Sequence, residues 1–251
     1  MVQGWLVYQL TGSALALGWV SAARSVARLI LSLYGGTLAD RLPRRQVLVW
    51  ARAAMLINVL AIALLIASGS IQVWHLVAYS FLSGVISSLM MPAQKALLAQ
   101  LVGNKSLLNA VSLTSVGMGL MGIFGASLAG FVIAWVGAEG VYFAIAALYV
   151  WAIFALSRLP PGTVANNTRT TAWADVRDGL RYLKVTPIIL PLLGIAVVRV
   201  LLGWSYRTLM PVYATEVLQF DARGLGILSA APSRGSLLGS LALASLGDGN
   251  G

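Results

Sequence analysis

Arg24 and Arg28 stand one helical turn apart inside an apolar stretch, with Ser21, Ser32 and Gly35 near the same helical face. A cation at bilayer depth is costly and ordinarily faces a cavity or a partner. The pair therefore marks a candidate water-filled cavity, with Arg199 of a later apolar stretch as a candidate contribution from another part of the chain. Such a site recognises charge and makes no bonds, and it favours an anionic or polar group on a solute. Snorkelling to the interface is the competing reading, stronger for Arg24 than for Arg28. The residues needed for catalysis are missing: no paired carboxylates, no Ser/His arrangement and no Asp or Glu near the middle of an apolar run. With no cysteine and a single histidine, His75, disulfides and the usual metal centres are excluded. No cofactor, no metal and no enzymatic activity are expected. A GxxxxGK[ST] loop is absent, which argues against an ATP-driven pump. Proton coupling stays open: the carboxylate lies elsewhere, or Asp40 and acids near the far helix ends take part, or protons are not used.

The elements that must position these arginines follow from composition. Hydrophobic residues make up 59% of the chain and charged residues 10%, with a mean hydropathy of +0.87; soluble domains carry roughly a quarter charged residues. The 251 residues are therefore read as membrane crossings of about 20 residues each. The predicted spans are Val2 to Leu10, Leu17 to Ala39, Val47 to Ala67, Val73 to Met91, Leu113 to Val136, Val141 to Leu156, Ile188 to Tyr213 and Gly224 to Leu246. As a helix the first would cover only about 14 Å, so the sequence is expected to be a fragment that starts within a span. The net charge of +10 is scattered between apolar runs, which disfavours nucleic acid as a partner. Basic residues collect after spans two, four and six, among them Arg41, Arg44, Arg45, Lys95, Lys105 and Arg158, and this asymmetry places those loops in the cytoplasm. Trp5, Trp19, Trp74, Trp135 and Trp151 near span ends read as interface anchors. Between the spans, Trp173, Val176, Leu180 and Leu183 recur at helical spacing and predict an interfacial helix held to anionic lipid. The expected organisation is a bundle over 1–156, a cytoplasmic linker over 157–187 and the first two spans of a second bundle over 188–251.

A fixed offset of 208 residues aligns span two with span eight without gaps, giving eleven identities in 24 positions from Leu17 to Asp40 against Leu225 to Asp248. Repeats of this kind underlie transporter folds. The match predicts a six-span unit repeated in parallel, with the second copy breaking off after two helices.

The turn at the end of span two, GGTLADRLPRRQVL, holds Gly36, Leu38, Asp40, Arg41, Arg44, Arg45 and Leu48. Asp40 can accept hydrogen bonds from the free N–H groups of a neighbouring helix start, and Arg44 and Arg45 can pair with acidic groups or lipid phosphate. This segment resembles the loop signature of the major facilitator superfamily. WLVYQLTGSALALG, MPAQKALLAQLV and IFGASLAGFVIAWVG are similar to parts of its enterobactin and drug exporter-like branch, the transmembrane secretion effectors. Two departures are Pro43 in the turn, where the broad family more often has glycine, and Ala126 in place of a proline in the fifth span, where Gly125 and Gly130 remain as helix-packing positions. The resemblance implies an all-α polytopic membrane protein: a major facilitator-type helical bundle of six-span repeats, incomplete here, in the bacterial inner (plasma) membrane. It further implies secondary active transport of a small-molecule substrate, as an exporter of siderophore or drug-like amphipathic solutes working by alternating access. Asp40 and the arginines of the turn would form a gating latch. The alternative is a non-transporting truncated remnant or a membrane assembly protein.

Overall fold

A computed structural model describes residues 2–39, 43–159, 208–221 and 223–233, with isolated positions at 191, 194, 195, 198 and 235. Four helices carry the first part: α1 (Val2–Thr11), α2 (Ala14–Ala39), α3 (Arg44–Ala67) and α4 (Val73–Ser157). Residues 208–212 are helical and run into a π-helical turn at Tyr213–Val217, and a further helix covers 223–233.

At 1.5 Å per residue, 85 helical residues would extend about 130 Å, several times a bilayer's apolar thickness. Two glycines resolve this. Gly103 (φ 65°, ψ 171°) and Gly137 (φ 83°, ψ 178°) leave helical geometry, in a region of positive φ where a Cβ would be strained. The chain reverses at each, so α4 consists of three crossings over 73–102, 104–136 and 138–157.

Two expectations need correction here. The fourth span does not end at Met91 but continues through Pro92, and the basic loop expected after it, with Lys95, is part of the helix body. A proline removes one backbone hydrogen bond. The following AQKALLAQL is rich in good helix formers, and Ala93 and Leu97 bury against Val47 and Leu48. The fifth span begins directly after Gly103, well before Leu113.

Pro43 explains itself as the residue before α3 (φ −54°, ψ 121°): its carbonyl accepts from Gln46 N at 2.8 Å and Val47 N at 3.2 Å, and its fixed φ suits a helix start.

The helices form a bundle with two apolar clusters, one towards each end. Leu6, Val7, Leu17, Val59, Ile62 and Tyr142 belong to the first; Val47, Leu48, Ala93 and Leu97 to the second. The first end carries Glu139, Glu216 and Asp221, and the second carries Arg44, Arg45 and Arg158. Outward, the bundle is apolar: Trp50 is 73% exposed, Ile57 69%, Leu113 73% and Trp135 78%. Water does not tolerate such a belt, and lipid does. Four stretches, Ala14–Leu31, Arg44–Ala67, Val73–Gly103 and Asn109–Ser157, are long and apolar enough to cross a membrane. The last contains the reversal at Gly137 and so supplies two crossings.

Leu17 and Leu225, paired by the repeat, are both buried near the start of their helices. Asp248 and the interfacial helix expected around Trp173 lie outside the described residues.

Candidate functional site

A layer of polar side chains lies at one depth of the bundle. Gln3 on α1, Arg24 on α2, Asn58 on α3 and Ser80 and Ser83 on α4 each sit seven to ten residues from the acidic end of their helix, roughly 10–15 Å deep. Groups at that depth have no water unless a cavity supplies it, so they must find one another.

They do. Asn58 donates through Nδ2 to the Ser83 hydroxyl at 3.1 Å and to the Tyr79 carbonyl at 3.2 Å. Gln3 donates through Nε2 to the Ser80 hydroxyl at 2.6 Å and to the Leu76 carbonyl at 3.1 Å. This orients its Oε1 towards α2, where Arg24 donates through Nη2 at 2.6 Å. The crossing of α2 and α4 is close enough to require glycine: a Cβ on Gly84 would stand 2.5 Å from the Arg24 carbonyl oxygen and 2.8 Å from Ala27 Cβ. Arg24 is thus held inside the bundle by its backbone as well as its head group.

Among the described residues neither Arg24 nor Arg28 has a carboxylate partner, and the buried Nε of Arg24 has no hydrogen-bond acceptor. Arg28, one turn on, is exposed. On the helix wheel it lies between the stripe of buried Leu17, Val20 and Ala27, which the half-buried Arg24 shares, and the lipid-type face of Trp19, Val26 and Leu29. The structure thus keeps Arg24 and Arg28 on adjoining parts of one face. Arg199, the third candidate for the cavity, lies outside the described residues.

The basic turn resolves in part. Gly36 and Leu38 lie in the helical backbone of α2; Asp40 and Arg41 lie outside the described residues. The sequence lets Arg44 and Arg45 pair with acidic groups or lipid phosphate; in the structure both donate to backbone carbonyls. Arg44 donates through Nη1 to the Ala96 carbonyl at 3.0 Å. Arg45 donates through Nε to the Leu156 carbonyl at 3.0 Å and through Nη2 to the Ser157 carbonyl at 2.5 Å. The last carbonyls of a helix lack intrahelical donors and carry the negative end of its dipole, which makes them acceptors suited to a guanidinium. Arg45 thus ties the start of α3 to the end of the last crossing of α4, and Arg44 ties it to the first crossing at Ala96.

Of the two packing glycines, Gly130 is buried, whereas no heavy atom of the described residues lies within 4 Å of a Cβ position on Gly125. The close approach occurs one turn earlier, at Gly122, where a Cβ would stand 3.1 Å from Ser233 Cβ on the helix 223–233. A second approach joins Gly4 on α1 to Pro211, 3.2 Å from its would-be Cβ. A third contact is polar: Tyr8 donates to Glu216 Oε1 at 2.5 Å. All three link the stretch before residue 157 to the stretch after 187. Beside them, at the acidic end, lies an open pocket of about 670 Å³ lined by Trp5, Gln9, Ile133, Glu139 and Asp221 among others.

Sequence reasoning missed Gln3, Tyr8, Arg52 and Asn58. Arg52 lies over the Tyr149 ring, 5.6 Å from its centroid, a cation–π contact that α3 and the last crossing of α4 make together. An apolar run interrupted by Asn58 and Arg52 on α3 was the available signal, because polar residues at bilayer depth seek partners.

A family model for the transmembrane secretion effectors matches residues 1–248. The chain is 25% identical over 240 residues to the staphyloferrin A transporter of Staphylococcus aureus (strain NCTC 8325 / PS 47), an alignment covering 95% of this chain and 60% of that protein. It is 26% identical over 188 residues to the uncharacterized MFS-type transporter YfiS of Bacillus subtilis (strain 168), covering 73% of this chain and 44% of that protein. The chain therefore spans three fifths or less of the length of these relatives. With a helical bundle of lipid-facing exterior, a polar layer at mid-depth and a family match over nearly its whole length, the chain belongs to the transmembrane secretion effector family of major facilitator superfamily transporters.

Proposed function

We propose that this chain works in secondary active transport, exporting small amphipathic solutes of siderophore or drug-like size across the bacterial inner membrane by alternating access. The observation that carries the reading is the Arg24–Gln3 pair: a guanidinium fixed at mid-depth, with no carboxylate beside it among the described residues. A helical membrane protein with no substrate has little use for an uncompensated cation at that depth. The staphyloferrin A transporter among its relatives favours a siderophore-like cargo. The unit 1–156 and the unit from 188 onward would be the rocking halves, with Gly4 against Pro211, Gly122 against Ser233 and Tyr8 against Glu216 as their contact on the acidic side. The excess of basic residues at the other end favours placing that end in the cytoplasm. On this reading Asp40, Arg41, Arg44 and Arg45 form the latch of the cytoplasmic gate, with Arg44 and Arg45 bracing the first half.

The test is counterflow in liposomes containing the purified protein, with labelled staphyloferrin A, the anionic dye anilinonaphthalene sulfonate and the cation ethidium as cargoes, each with and without an imposed pH gradient. Concentrative exchange of at least one cargo is expected, with the anions ahead of ethidium. Exchange that never exceeds empty liposomes would reject transport and leave the assembly or remnant reading.

The contact between Tyr8 and Glu216 gives a second expectation. A hydrogen bond to a carboxylate is stronger than one between neutral groups, so its loss favours separation of the two stretches it joins. Tyr8→Phe and Glu216→Gln should each shift the protein towards opening on the acidic side. Spin labels on Gln9→Cys and Asp221→Cys, in a chain with no cysteine of its own, should report a larger population at long distance in both variants. An unchanged distance distribution would remove this contact from the gate.

A further inference from the structure

The amide of Gln3 has one orientation that satisfies its surroundings. The Leu76 carbonyl can only accept, so Nε2 must face it and the neighbouring Ser80 hydroxyl, at 3.1 and 2.6 Å. Ser80 is fully buried, and α4 holds it in place. The carbonyl end of Gln3 then faces Arg24 and accepts a hydrogen bond from its Nη2 at 2.6 Å. Gly84 fixes the other coordinate by letting the Arg24 backbone lie against α4. A glutamate at position 3 would fit the same space and bind the guanidinium more strongly. It would also neutralise it, as an ion pair in a low dielectric does. Glutamine supplies the geometry without the charge. Asn58, in the same layer, is likewise neutral and hydrogen-bonded to neutral partners.

We propose that Gln3 is the positioning residue that holds the Arg24 guanidinium with its charge uncompensated, so that the cavity selects solutes carrying an anionic group such as a carboxylate or sulfonate. This rests on the reading of Arg24 as a cavity residue given above. The Arg24 N–H groups that Gln3 does not take, among them the Nε without an acceptor among the described residues, are then left for that group, beside the neighbouring charge of Arg28. A guanidinium offers several N–H groups in one plane, matched to the two oxygens of an oxyanion. Gln3 occupies one of them and sets the plane.

The experiment reads electrostatics and transport separately. Ser21→Cys, three residues before Arg24 on α2, introduces the only thiol of the chain. Its labelling rates in detergent with a sulfonatoethyl and a trimethylammonioethyl thiosulfonate give a ratio that rises with local positive potential. The ratio should exceed one in the Ser21→Cys parent, and at about pH 8.5 it should fall on the order of tenfold when Gln3→Glu is added. Gln3→Leu, which keeps the arginine charge but frees its head group, should leave the ratio within about twofold. In liposomes Gln3→Leu should instead raise the KM for anilinonaphthalene sulfonate several-fold with little change in kcat. Gln3→Glu should lose the preference for that dye over ethidium. A labelling ratio unmoved by Gln3→Glu, or a KM unmoved by Gln3→Leu, would overturn the proposal. The two readings separate cleanly: if Arg24→Gln leaves both dyes transported as before, the cavity itself is misassigned. If Arg24→Gln abolishes the anion preference while the Gln3 variants keep it, only the role of Gln3 fails.

Discussion

Arg24→Gln is expected to reduce counterflow of anilinonaphthalene sulfonate by at least about tenfold and by up to about a hundredfold, the equivalent of one lost charge-assisted hydrogen bond of about 1.5–3 kcal/mol. The reason is geometric as much as electrostatic. Arg24 stands where α1, α2 and α4 meet, bonded to Gln3 and backed by Gly84. A shorter neutral side chain withdraws the charge and leaves Gln3 Oε1 without its donor. Arg24→Lys should recover part of the rate, because it restores charge without the planar fork. Arg28→Gln should act in the same direction but less strongly, since Arg28 is exposed and its head group makes none of the bonds that fix Arg24. Thermal unfolding in detergent serves as the control. A loss of transport that tracks a loss of folded protein would assign Arg24 to structure, whereas loss with unchanged unfolding assigns it to cargo.

The second large effect is expected at Arg45. Its guanidinium closes two carbonyls at the end of α4 with Nε and Nη2, and Arg44 adds a bond to the Ala96 carbonyl. Arg45→Met should destabilise the bundle by about 2 kcal/mol, after discounting for the partial exposure of the site, and should lower the unfolding temperature accordingly. Arg45→Lys should restore less than half of this, because an ammonium cannot reach two carbonyls in the same plane. If Arg45→Met instead abolishes transport while the unfolding temperature stays put, these bonds belong to the gate and not to the brace.

The comparison between Arg45 and Arg24 shows what was legible in advance. Both were visible as basic residues in an apolar chain, and depth separated them: one at a span end, one within a span. Depth follows from counting residues at 1.5 Å each, so it needs no tertiary information. What each arginine bonds to does not follow. The acceptors of Arg45 are carbonyls 111 and 112 positions away in sequence, and backbone carbonyls leave no trace in a list of side chains. Gln3 bonds across 77 positions to Ser80 and across 21 to Arg24. No periodicity links such residues. In sequence Gly122 and Gly125 are equally suited to packing; their relative facing depends on which turn of the fifth crossing meets the helix of Ser233.

The end of the fourth span was missed for a related reason. Proline at 92 reads as a stop in a window of sequence, but α4 continues because Ala93 and Leu97 bury against Val47 and Leu48, and packing energy outweighs one lost hydrogen bond. The positive φ at Gly103 and Gly137 shows the opposite relation. There the local backbone decides, and the chain turns.

By itself the sequence determined that this protein lives in lipid and that its spans alternate between a basic and an acidic end. It also marked where cations enter the apolar depth, because hydrophobic length and charge placement are properties of the chain one residue at a time. Only the tertiary structure decided that Arg24 is held by the neutral Gln3, that Arg44 and Arg45 bind carbonyls of α4 and that Tyr8 reaches Glu216. These depend on which helices are neighbours and how they are rotated, and that is set by shape complementarity among apolar faces that look alike in sequence.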